Sequence, residues 1–102
     1  MAKGYWVVQA DVTDPEGYKE YVTANAPALR KYNGRFLARG GRSEVQEGSF
    51  LPRVVVVEFP SFDAALACYK SPEYQHAVTF RKNRAVFNLT VLDGFEGPQP
   101  TD

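Results

Sequence analysis

Along this chain, short stretches rich in β-branched and aromatic residues alternate with longer ones in which apolar positions return every three or four residues. Val54-Val55-Val56-Val57-Glu58-Phe59 has no period-2 alternation, which predicts a strand apolar on both faces. Tyr5-Trp6-Val7-Val8-Gln9-Ala10-Asp11-Val12 predicts another strand, and Thr13-Asp14-Pro15-Glu16 behind it reads as a helix start, with Asp14 at N-cap and Pro15 at N1. In that helix Tyr18, Tyr21, Val22, Asn25, Leu29 and Tyr32 share one face, while Lys19, Glu20, Thr23, Arg30 and Lys31 fall elsewhere. Pro27 removes a backbone hydrogen bond inside the pattern, which predicts a kink or widening near residues 23–26. Asn33-Gly34 supplies a left-handed stop.

Arg35-Phe36-Leu37-Ala38-Arg39 reads as a strand, and Gly40-Gly41 as either a bulge or the strand's end, the bulge being favoured. Beyond it the strand is expected to continue through Arg42-Ser43-Glu44-Val45-Gln46, turn at Glu47-Gly48, and pair antiparallel with the Val54 run. Ser61 caps a helix from Phe62 to Lys70, with Phe62, Ala65, Leu66 and Tyr69 inward, and Ser71-Pro72-Glu73 opens a third helix reaching to about Arg84. Val86 to Leu92 is the last strand. The order β-α-β-β-α-β, its second helix broken by Pro72, predicts a ferredoxin-like α+β fold with an antiparallel four-stranded sheet and its helices on one side. Residues 1–96 form the expected single domain, and 97–102 an expected frayed tail without core residues. Because no helix is left for the other sheet face, a second copy of the chain is the expected cover, making a homodimer.

Composition narrows the function classes. A chain of 102 residues is one small domain, and its 12 basic and 12 acidic residues cancel, so no net field draws it to nucleic acid or to an anionic membrane. The longest apolar run is too short to span a bilayer. The single Cys68 excludes an internal disulfide, and Met1-Ala2-Lys3-Gly4-Tyr5 lacks the apolar core of a signal peptide, so a cytoplasmic setting is expected. Six Tyr, seven Phe and one Trp make a partly polar cavity worth seeking, although ordinary packing uses aromatics equally well.

Glu58, a carboxylate at the end of an apolar strand, is a candidate general acid or base; the alternative is that it leans into solvent or pairs with a cation such as Arg39. Arg39 precedes two glycines that permit close approach, so its planar fork could hold a carboxylate or enolate, or form a salt bridge. Tyr18, Tyr21, Tyr69 and Tyr74 lie on helix faces that look toward the sheet, where phenols could bind an oxygen-bearing ligand or simply pack. Arg81 falls at helical spacing from Tyr74 and Val78 and faces inward on that basis. His76, the only histidine, is expected in solvent, and Cys68 is expected to be an inert buried thiol. No phosphate-binding loop, dinucleotide fingerprint or metal-ligand cluster occurs, so neither metal nor cofactor is expected.

The phrases Gly4-Tyr5-Trp6, Val12-Thr13-Asp14-Pro15, Phe36-Leu37-Ala38-Arg39-Gly40-Gly41, Val57-Glu58-Phe59-Pro60 and Tyr69-Lys70-Ser71-Pro72-Glu73-Tyr74-Gln75 resemble domain-of-unknown-function family 1330, in the same order and nearly to Phe95. The resemblance implies a dimeric α+β barrel, a superfamily whose members include cofactor-free monooxygenases, muconolactone isomerases and haem enzymes. The expectation drawn from residues and resemblance together is a cofactor-independent isomerase or monooxygenase acting on a small oxygenated molecule. Glu58 would move the proton, and Arg39 or Arg81 would hold the developing charge. The alternative is a non-catalytic dimeric module that binds a metabolite or a protein.

Overall fold

The computed structural model describes residues 2–102. Strand β1 (Gly4–Val12) is followed by helix α1 (Pro15–Lys31), strands β2 (Arg35–Arg39) and β3 (Arg53–Phe59), helices α2 (Phe62–Lys70) and α3 (Pro72–Arg81), and strand β4 (Ala85–Asp93). The four strands form one antiparallel sheet in the order β2-β3-β1-β4, with the helices on one face. This is the α+β ferredoxin-like arrangement expected from the element order.

Each helix begins where a short polar side chain caps it. The Asp14 carboxylate accepts from Gly17 N–H, the Ser61 hydroxyl from Ala64 N–H, and the Ser71 hydroxyl from Tyr74 N–H. Ser71 ends α2 as well as starting α3, so the two helices meet without a linker. Helix α1 runs through Pro27 to Lys31, and Asn33, at φ 59°, makes the left-handed exit. Helix α3 stops at Arg81, a turn short of Arg84, because Asn83 turns left-handed at φ 63°.

On the helix side, Trp6, Val8 and Ala10 of β1 alternate into the core with Val55, Val57 and Phe59 of β3. They meet Tyr18, Tyr21 and Leu29 from α1, Ala65 and Cys68 from α2, and Tyr74 and Ala77 from α3. The Trp6 indole donates to the Ala65 carbonyl at 2.9 Å, which ties the floor of the core to α2. Helix α1 packs chiefly on α3 and stands off from the sheet, and β2, at the sheet's edge, has all five residues exposed.

The strand expected beyond Gly40 does not form. Gly40 has φ 65°, its N–H makes a last ladder bond to Val54 O at 2.9 Å, and residues 41–50 are exposed without strand partners. Arg42-Ser43-Glu44-Val45-Gln46 offers one apolar side chain in five, too little burial to hold a strand against the sheet. The bulge lies instead between Phe36 and Ala38, at Leu37.

The other sheet face carries Tyr5, Val7, Gln9 and Asp11 of β1, Arg35 and Ala38 of β2, Val54, Val56 and Glu58 of β3, and Val86, Asn88, Thr90 and Leu92 of β4. Val7, Val54 and Val56 are half-buried and Val86 and Leu92 are exposed, so the middle of this face is apolar and uncovered within one chain, with polar residues around it.

Candidate functional site

The stand-off of α1 leaves a cleft between that helix and the sheet. Its floor is Trp6, Val8, Val55 and Val57, its wall is Tyr18, Tyr21 and Asn25, and Phe36, Arg39 and Arg53 stand toward β2. About 30 Å³ of it admits water, room for one or two molecules, and the space including solvent at the open mouth amounts to about 390 Å³. An occupant therefore has to be flat, or has to sit in the mouth.

Strand alternation decides which polar groups reach the cleft. Arg53 pairs in register with Ala10, and Arg39 with Val55, so both are on the helix side. The Leu37 bulge is what brings Arg39 there: without the extra residue, Arg39 would share a face with Ala38's partner Val56. Arg53 fits beside Gly40, where any Cβ would run into its guanidinium. Its guanidinium carbon lies 6.0 Å from the Tyr18 ring centre. Arg81 reaches over from α3, 5.3 Å from the Tyr21 ring and 3.8 Å from that of Phe87, and Arg39 covers Phe36 at 4.2 Å.

The phenols are linked. Tyr18 and Tyr21 lie with ring centres 5.3 Å apart, and the Tyr21 and Tyr74 hydroxyls share a 2.7 Å hydrogen bond. Burial pushes Tyr18 above the ordinary phenol range and raises Tyr74 well above it, with Tyr21 adding to both shifts and Arg53 or Arg81 opposing them. Both are therefore neutral hydroxyls that can donate. Among the described residues no carboxylate lines the cleft, and none pairs with Arg39, Arg53 or Arg81. The Nε–H groups of Arg53 and Arg81 are buried without a hydrogen-bond acceptor.

Of the residues singled out from sequence, Tyr18, Tyr21 and Arg39 line this cleft, and Tyr74 and Arg81 back it. Tyr69 does not reach it: it packs edge-on to Trp6 at 6.3 Å from the α2 side of the core. Glu58 is not brought to it either. It stands opposite Tyr5 and Arg35 on the uncovered sheet face, because it alternates with Val57 and Phe59, which point to the helices. His76 is exposed, edge-on to Phe80. Cys68 is buried, donates to the Ala28 carbonyl at 3.6 Å, and is pushed up to about 12, first by burial.

Sequence reading passed over Trp6, Asn25 and Arg53. Asn25 carried a signal, a lone amide in the apolar stripe of α1, and Arg53 carried another, a cation in step with Val55 and Val57.

The model of one domain family of unknown function, DUF1330, matches residues 3–95. No curated protein matches the chain. Among solved structures, a protein of unknown function from Rhodopseudomonas palustris, RPA0582, is similar at a TM-score of 0.74 and 17% identity, over 94% of this chain and 85% of that one. SnoaB, a cofactor-independent oxygenase from Streptomyces nogalater, is similar at 0.61 and 14% identity, over 97% and 96%. An ethyl tert-butyl ether degradation family protein from Bacillus halodurans is similar at 0.56 and 14% identity, over 93% and 100%. At these identities the likeness is one of fold.

Proposed function

The chain belongs to the DUF1330 family, and from the cleft of this member we propose that it binds a small, flat, oxygenated organic molecule between α1 and the sheet. The observation that carries the reading is the convergence of the Tyr18 and Tyr21 phenols, the buried Asn25 amide and the Arg39 guanidinium on an otherwise apolar cleft. An apolar wall supplies affinity for a ring, and the few polar groups orient its oxygens.

The catalytic form of this reading is isomerisation or cofactor-independent oxygenation. The fold shared with SnoaB supports it at the level of architecture alone. Under this reading the cleft residues bind and orient the substrate, exclude water, and donate hydrogen bonds to charge developing on its oxygens. The second reading, a binding module without catalysis, uses the same cleft. The two separate on whether a bound compound is converted under air.

Assembly completes the proposal: a second copy covers the apolar face of Val7, Val54 and Val56, as a two-fold pairing of sheets would. Trp6, the single tryptophan, stands in the cleft floor and reports occupancy directly. Titration with a panel of small oxygenated aromatics, exciting the indole selectively, should give saturable quenching for some members, weakened by Tyr18→Phe and Asn25→Leu. Linear, non-saturating responses across the panel would overturn the binding reading.

A further inference from the structure

Resting on that cleft reading, we propose that the ligand is bound as an anion, with an ionised carboxylate, phenolate or enolate oxygen on a flat conjugated frame, and that the protein stabilises this charge without removing the proton itself. Three guanidiniums face or back one narrow cleft, and among the described residues no carboxylate neutralises them. Arg53 and Arg81 flank the Tyr18–Tyr21 pair from the two sides, against Tyr18 and Tyr21 respectively. Each holds a buried Nε–H that lacks an acceptor, an arrangement that is costly unless something supplies one.

The groups that face this space settle where the proton goes. Strand β1 contributes Trp6 and Val8, and its Tyr5 is on the other face; α1 contributes Tyr18, Tyr21 and Asn25; β2 contributes Arg39, and β3 Arg53, while Glu58 lies on the other face. Helix α3 lies behind these, carrying Tyr74 and Arg81, with His76 exposed and Glu73 engaged by Lys31 at 2.9 Å. Among the described residues, those lining the cleft include no carboxylate and no imidazole to take a proton. When a weakly acidic ligand ionises, its O–H bond breaks, the electron pair stays on its oxygen opposite the guanidiniums, and the proton leaves to water. The cleft thus selects compounds acidic enough to ionise once two or three fixed cations lower the cost.

The test uses 4-nitrophenol, which ionises near neutral pH and whose phenolate absorbs in the visible. Its affinity is read by Trp6 quenching, and its ionisation by absorbance at saturating protein. Phenolate should bind at least about tenfold more tightly than phenol, so that the ligand's apparent pKa falls by about one unit or more on binding. Arg53→Gln and Arg81→Gln should each shrink that fall, and Arg30→Gln, on the exposed side of α1, should leave it unchanged. Saturable quenching with an unmoved or raised ligand pKa would overturn the anionic class while leaving the cleft reading intact. Absence of saturable quenching both below and above the ligand's pKa would overturn the two together. The wild-type measurement decides even if an arginine variant fails to fold.

Discussion

The hydroxyls of Tyr21 and Tyr74 share one hydrogen bond of 2.7 Å across 53 residues of sequence, joining α1 to α3 behind the cleft. Both residues are at most 4% exposed, so the bond is shielded from bulk solvent. The pair fixes the helix that forms the cleft wall while letting it stand away from the sheet.

Removing one partner strands the other. Tyr74→Phe should cost about 1–3 kcal/mol of stability, the penalty of an orphaned buried hydroxyl, and the double variant Tyr21→Phe/Tyr74→Phe should cost less than the sum of the single ones. Urea unfolding of the four proteins measures the coupling. Strict additivity would mean that the bond contributes nothing.

Cys68 should be silent in the folded protein. Its thiol is raised from 9.0 to about 12, chiefly by burial, so the native state keeps its proton where the unfolded chain releases it. This stabilising contribution is fully present below the unfolded value and declines as pH rises from 9.0 toward about 12. A thiol reagent at mildly alkaline pH should modify Cys68 only after denaturant is added. Rapid modification of the native protein would contradict the burial.

The uncovered sheet face predicts self-association. Val56 sits at its middle, paired with Val7 on one side and Ala38 on the other. Val56→Glu would place an unpaired charge in the proposed interface and should convert a sedimenting dimer to monomer. A wild-type monomer at micromolar concentration would remove the second copy from the account.

Glu58→Gln should leave ligand affinity in the cleft within about twofold of the parent, since an isosteric change on the opposite face touches no lining group. The same titration of Trp6 measures it. A large loss of affinity would mean that the ligand lies on the other face.

Much of this was legible along the chain. The caps at Asp14, Ser61 and Ser71, the left-handed Asn33, and the inward placing of Tyr18, Tyr21 and Tyr74 all follow from local chemistry and from helical spacing. The side on which a strand residue lies was less accessible where the strand is apolar throughout. In the Val54 run, every residue looks buried, so alternation could not tell that Val57 meets the helices and Glu58 does not. The Leu37 bulge, which turns Arg39 to the cleft, carries no glycine to announce it, whereas Gly40-Gly41 announced a bulge and instead releases the chain into an exposed arm.

The most direct measurement of the central claim is a crystal structure of the protein grown with 4-nitrophenol. The account predicts its ring in the mouth of the cleft beside Tyr18, with the phenolate oxygen turned to the guanidinium of Arg53 or Arg81. A ring bound on the Val56 face or in the surface groove of Pro27 and Phe80, with the cleft unchanged, would contradict it.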